Sequence, residues 1–494
     1  MKTEVHKLNS SQLQGYSAAG LSLLCFAVFA FLFFISIFRT VVFVDDPYLG
    51  EYALSELDNG FLNIILLTIL VSASYLMYRA CEHIKLRTLM ILMLVWTLFL
   101  GCSFVYSASR APEGDAEIIA NTAYLASGGN YTAMSDYLDR YPFSIGMAFF
   151  DELVFRFLQF GFPHISKGYC FMALQVLNVL LLCAAFFSLV KITGLLYESE
   201  DMQKQVCLLL MLFLPAVFQC TSLSGRIPSF TFSLLAGWAL IVYFKRHSLI
   251  YVVLAGIFLG IALSMKLDLL VVLALFLLMI VFRMRNRKAV MGFVLFAVFS
   301  MAMFYMSTFV CEHRVKTEFE NSELSLRTVM GLDETEEGSL IYSGMYSAVS
   351  SDISKSTGSI KQENAADLVT AVHQQWNEPS FSSINSNQSS RHYRDTGRLY
   401  DLVCGSGEEL LLEFMNLFQS FLLIGAVFSM VKLLRERDFL KLMPALFFVG
   451  GVVLHLIFPS DSRYAMKYYL ALIPLTAYGL GSFFDHYWAK KDKG

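Results

Sequence analysis

The stretch LSLLCFAVFAFLFFISIF, residues 21–38, carries no charged side chain and is long enough as a helix to cross the hydrocarbon core of a bilayer. Backbone inside hydrocarbon must satisfy its own N–H and C=O groups, so a run of this kind leaves very few folds open. Similar runs recur near 61–78, 88–106, 169–190, 205–221, 227–244, 249–265, 267–282, 289–310, 409–431, 440–458 and 465–484, the first extending over 19–44. About twelve membrane spans are expected from their lengths. With 56% hydrophobic and 16% charged residues among 494, the chain reads as an all-α polytopic membrane protein. The first run is too long for a signal-peptide core and lacks a small-x-small cleavage pattern, which makes it a retained helix with a cytoplasmic N-terminus. A formal net charge of −3, with the basic residues scattered, excludes a phosphate-backbone stripe. No nucleic-acid partner is expected, and membrane lipids or lipid-borne substrates are.

Lysines and arginines gather at alternate ends of the runs: Arg79, Lys85 and Arg87; Lys191 and Lys204; Lys245 and Arg246; Arg283 to Lys288; Lys432 to Lys441; and Lys490 to Lys493. The positive-inside rule puts all of these, and the C-terminus, in the cytoplasm. The apolar segment 142–162 would invert every later cluster if it crossed, so it is expected to lie on the outer surface as an amphipathic helix bearing Asp151, Glu152 and Arg156. Five regions follow: a three-helix segment with a two-helix extension (1–106), an outer loop (107–168), a central bundle (169–310), a small mixed extracytoplasmic domain (311–408) and C-terminal helices with a cytoplasmic tail (409–494). Most of the nine cysteines lie in apolar runs and outline neither a disulfide scaffold nor a zinc site. Cys311 and Cys404, at the two ends of the polar region, could form a bridge.

Chemistry is expected where carboxylates and cations meet the outer boundary. Asp115 follows the third run closely and is trailed by Glu117. Such a pair can accept a proton from an incoming nucleophile or help hold a divalent metal, Mg or Mn. Asp115 also suits a helix cap before AEIIANTAYLA. Cations in the short outer loops reduce to Arg226, Lys266, Arg463 and Lys467, and these residues suit a phosphate group at the membrane surface or, more plainly, snorkelling anchors. Tyr124, Tyr131, Tyr137 and Tyr141 could stack on sugar rings or belong to an interfacial aromatic belt. Walker A, GxSxG and HExxH sequences are absent, and the nine histidines do not group at ligand spacing.

Three segments, in order, carry a resemblance: PEGDAEIIANTAYLASGGNYTAMSDYLDRYPFSIGMAFF (112–150), GIFLGIALSMKLDLLVVLA (256–274) and SRYAMKYYLALIPL (462–475). A span, an outer loop with an acidic residue, a surface helix and a late RY segment together resemble the GT-C superfamily of integral-membrane glycosyltransferases. The branch most similar is that of the protein mannosyltransferase and aminoarabinose transferase type, especially its bacterial polytopic members, over roughly residues 88 to 484. The resemblance implies a GT-C-like fold and a polyprenyl-phosphate sugar donor. It also implies a cell-envelope glycan, lipid or protein acceptor on the outer face of the plasma membrane. It marks Asp115 as catalytic, with Lys266, Arg463 and Arg226 toward the donor phosphate and Glu117, Tyr131, Tyr137 and Tyr141 assisting or contacting sugar. One departure stands out: many relatives carry an acid where this chain has Arg226. Readings kept beside it are a lipid-linked-sugar transporter or flippase, an inactive sugar-lipid-binding relative, and a polytopic polymerase of the O-antigen type.

Overall fold

A computed structural model describes residues 10–46, 50–113, 115–131, 145–282, 287–315, 372–388, 392–393, 397–456 and 462–487. Helix α1 (Ser10–Phe38) runs into a hairpin of strands β1 (Arg39–Asp46) and β2 (Gly50–Leu57). The chain continues through α2 (Gly60–Cys81), α3 (Leu86–Ala108), α4 (Asp115–Ser127), α5 (Ile145–Gly161), α6 (Lys167–Tyr197), α7 (Glu200–Leu212) and α8 (Leu214–Phe218). Then come α9 (Arg226–Arg246), α10 (Leu249–Met265), α11 (Leu270–Phe282), α12 (Arg287–Val315), α13 (Arg398–Cys404), α14 (Glu408–Glu436), α15 (Met443–His455) and α16 (Ser462–Tyr487).

Each apolar run coincides with helix, and the architecture is that of an all-α polytopic membrane protein apart from the hairpin. Seven helices are long and apolar enough to cross a bilayer alone, and the bent pair α7–α8 brings the number to eight among the described residues. Leu249–Met265, Leu270–Met279 and Met443–His455 are apolar but shorter. The first run stops short of its expected end because RTVVFVDD, rich in β-branched residues, pairs with residues 50–57 as a strand instead of extending α1.

Close helix packing rests on small residues, as expected where lipid offers no hydrophobic gain from burying apolar side chains. A Cβ on Gly479 of α16 would lie 2.0 Å from the Gly425 carbonyl of α14, and one on Gly260 of α10 would lie 2.4 Å from the Ser300 carbonyl of α12. Thr476 Oγ1 donates to the Leu422 carbonyl across the α14–α16 seam at 2.8 Å. Several of the basic clusters are joined by contacts between neighbouring helix ends. Lys204 donates to the Glu82 carbonyl at 3.0 Å, Lys245 pairs with Glu198 at 2.5 Å, and Tyr197 donates to the Lys441 carbonyl at 3.3 Å.

The α7–α8 pair bends by 56°. Pro215 enters at the first turn of α8, where it has no N–H to continue the preceding ladder. Phe213 at the break stacks on Phe381, 5.9 Å between ring centroids, so the bend makes room for a segment from far along the chain.

Helix α5 is 17 residues long and is not among the helices able to cross on length and composition. Its faces are sorted unlike a helix on a water-facing surface. Phe157 and Phe160 point outward at 77% and 91% exposure, with Phe162 just past the helix at 67%, whereas Asp151 and Glu152 are fully buried against protein. Its charges are sheltered by neighbouring helices, and its phenylalanines form the exposed face expected at a lipid interface.

Candidate functional site

The segment HQQWNEPSFSSINSNQ (373–388) belongs to the region expected as an outer domain, much of which (316–371) lies outside the described residues; most of this segment is buried, with contacts to α14 and α16. A short helical stretch ends before Pro379, and the chain turns through Phe381 and Ser382 with φ of +51° and +53°, a conformation that L side chains rarely adopt. The turn is held by a carboxylate. Glu378, itself 2% exposed, accepts from the Ser380 and Ser382 backbone N–H groups at 2.8 and 2.6 Å. Around it, Gln419 and Tyr469 donate to the Trp376 carbonyl at 2.9 and 2.7 Å. Thr221 bonds Asn387 at 2.9 Å, and Ser55 of β2 bonds His373 at 2.8 Å. Buried backbone polar groups demand such partners, which explains why a Ser- and Asn-rich sequence can be accommodated inside an apolar bundle.

Three arginines from distant parts of the chain converge on this segment. Arg110, just past α3 and 7% exposed, donates to the Ser386 carbonyl. Arg226, at the first turn of α9, reaches Gln219 Oε1 at 3.4 Å, and Gln219 Nε2 donates to the Phe381 carbonyl at 2.9 Å. Arg463 follows Ser462, whose hydroxyl bonds that of Ser382 at 2.9 Å. Burial pushes the Arg110 pKa down to about 10, Glu113 opposes this, and the charges of Arg226 and Arg463 lower it further. Tyr464 adds a π face between two cations: Arg226 lies 5.9 Å and the Lys467 ammonium 5.8 Å from its ring centroid. Guanidinium groups clustered in this way suit an anion with several oxygens, above all a phosphate.

The sequence-predicted residues divide into separate groups. Arg226 and Arg463 meet in this cluster. Lys266 stands at the end of α10, where Ser264 abuts Gly146 at the start of α5, while Met147 of the next position abuts Gly225. The first turn of α5 therefore lies between the Arg226 and Lys266 ends of their helices. Among the described residues helix α4 begins at Asp115, whose side chain lies outside them. Glu117 is exposed on α4. Tyr137 and Tyr141 lie outside the described residues. Tyr131 is held by Arg156, which also pairs with Glu152 at 2.8 Å, and the Arg314 guanidinium lies 6.0 Å from its ring centroid. Cys311 and Cys404 are free thiols in different clusters, Cys311 beside Ile119 and Met147, Cys404 at the end of α13. Among the described residues no group of three or more His, Cys, Asp or Glu is arranged to hold a metal ion.

Sequence reasoning missed Arg110, Glu378 and Arg314. Arg110 stands two residues past the end of α3, at the start of the long loop expected outside, where a cation is less telling than in a short one. Glu378 sits in a polar stretch with no periodicity, and nothing local marks it as buried. Arg314 donates one amino group to both oxygens of Glu152, at 2.8 and 2.9 Å, a pairing between positions 162 residues apart.

Two apolar crevices adjoin the site. One, narrow, is lined by Phe213, Pro379, Phe381 and Tyr469, and the other by Leu70, Met77, Leu209 and Leu480. They share Leu212 and Phe418 and so meet at the α7–α8 bend.

No family model matches the chain, and no curated protein matches it. Among solved structures it is similar to the archaeal oligosaccharyltransferase AglB from Archaeoglobus fulgidus, in complex with an inhibitory peptide and a dolichol-phosphate, at 12% identity and a TM-score of 0.48. The likeness covers 84% of this chain and 52% of that one, so this chain matches about half of the archaeal protein's length.

Proposed function

We propose that this chain is a membrane glycosyltransferase of the GT-C type, with about twelve spans, that moves a sugar from a polyprenyl-phosphate carrier to an acceptor on the outer face of the membrane. The observation that carries this reading is the convergence of Arg110, Arg226 and Arg463 at the end of the bundle where Asp115 opens α4. Cations drawn together in a site shielded from water stabilise a departing phosphate far more than they could in bulk solvent. In this reading Asp115 accepts the proton of the acceptor, and Arg226, Arg463 and Lys266 take the donor phosphate, joined by Arg110. Glu117, Tyr131, Tyr137 and Tyr141 assist or contact sugar. A divalent metal is left open.

One observation favours a second reading. A span broken at Phe213 is a feature of transporters, in which interrupted helices form the substrate site, and a flippase for lipid-linked sugars would use the same cations. Purified protein in vesicles, given radiolabelled polyprenyl-phosphate sugars and membrane extract, separates the two. Label appearing on an acceptor supports the transferase. Label crossing the bilayer while still on its carrier, with none transferred, overturns it in favour of the flippase.

A further inference from the structure

Glu378 is a buried carboxylate with no place in the proposed chemistry, yet it occupies the centre of the segment on which the arginines converge. Both of its oxygens are used: Oε1 accepts from Ser380 N and Oε2 from Ser382 N. Burial raises its pKa and hydrogen bonds from Ser380, Ser462 and Ser382 act against this; two backbone N–H groups, one on each oxygen, suit the carboxylate form as acceptor. The turn it closes is the one with two residues at positive φ, an arrangement that reverts unless its surroundings hold it. Ser382, at the end of that turn, bonds Ser462, and Ser462 is the first residue of α16, immediately before Arg463.

We propose that Glu378 is a positioning residue for Arg463: it fixes the Ser380–Ser382 turn, the turn fixes Ser462, and the head of α16 then presents Arg463 to an anion in one direction. This rests on the reading of the arginine cluster as a phosphate site. Arg110 reaches the same segment at the Ser386 carbonyl and Arg226 reaches it through Gln219, which donates to the Phe381 carbonyl, whereas Arg463 directly follows Ser462, whose hydroxyl bonds Ser382 of the turn. Glu378→Gln is the sharp perturbation. It keeps the volume but turns an amide NH₂ toward one of the two backbone N–H groups, so one of those donors loses its acceptor.

The test uses the full chain in lipid nanodiscs, with geranylgeranyl monophosphate as the lipid-borne probe and inorganic phosphate as the free one, and dissociation constants read by calorimetry. Arg463→Ala weakens the lipid probe strongly, and Glu378→Gln weakens it by about tenfold, the scale of one misdirected charge-assisted hydrogen bond. In the Arg463→Ala background Glu378→Gln adds less than about twofold, because its effect runs through the missing guanidinium. Ser462→Ala, which cuts the link to Ser382 and one hydrogen bond to the carboxylate but leaves the carboxylate and its two backbone bonds in place, reproduces the loss and keeps the test decisive where Glu378→Gln folds poorly. Wild-type affinity in both Glu378→Gln and Ser462→Ala, with Arg463→Ala impaired, overturns the positioning role and leaves the phosphate site standing. Additive losses from Glu378→Gln and Arg463→Ala also overturn it, since they assign Glu378 a purely structural part. Absence of binding by the wild type to either probe overturns the phosphate reading and the positioning role together. Weakening of inorganic phosphate in step with the lipid probe supports control of the charged head alone.

Discussion

Replacing Asp151 by Asn acts on a carboxyl group with no solvent and, among the described residues, no hydrogen-bond partner on either oxygen. Burial holds its pKa well above the usual carboxylate range. In the unfolded chain the group titrates near the ordinary value of about 3.9. The sign follows from the raised folded pKa. The stability this group contributes is fully present below the unfolded pKa and is lost as pH rises through the window up to the folded pKa. Inside that window the folded state keeps a proton that the unfolded state gives up, at a cost of about 1.4 kcal/mol for each pH unit. Asn has nearly the same shape, leaves its polar atoms in the same place and cannot titrate. Near pH 4 the variant and the wild type should therefore unfold together. As pH rises further through the window the variant should draw progressively ahead, by about 1.4 kcal/mol for each pH unit. Thermal unfolding of both proteins in one detergent, from pH 4.5 to 8, reads the difference, and taking the difference cancels groups common to both, Glu152 among them. Parallel curves across this range, or a variant that falls behind as pH rises, would refute the buried neutral carboxyl.

Asp115→Asn should lower transfer by at least about a hundredfold, the scale of a lost general base, at an unchanged thermal midpoint; retained turnover would remove Asp115 from the chemistry. Lys266→Ala and Arg463→Ala should each cost on the order of 2–4 kcal/mol in kcat/KM, and Arg463→Lys should rescue only in part because an ammonium cannot make a planar fork. Arg314→Met should destabilise the fold by about 3 kcal/mol, since it strips Glu152 of one of two cations, and chemical unfolding measures this. Single cysteines at Asn130 and Ser166 should react with an impermeant probe from the same side of the bilayer; labelling from opposite sides would make α5 a span.

Two kinds of information separate here by range. The apolar runs, the clustering of basic residues at their alternate ends and the short charged helix at 145–161 could all be read locally, because transfer into lipid is decided residue by residue over one helix length. Arg226 and Arg463 could be singled out in the same way, as cations where the charge rule makes them rare. Their meeting could not. Arg110, Arg226 and Arg463 are brought together by a segment that follows α12 by more than fifty positions, and that segment is seated by the α7–α8 bend and by Glu378. The same holds for Asp151 and Glu152: composition marks them as charges to be kept out of hydrocarbon, but only packing decided that helices α4, α10 and α12, and not water, would shelter them. Hydrophobic partition is a property of each residue and its near neighbours. The pairing of a buried charge depends on which distant helix arrives beside it, and that is settled only when the bundle closes.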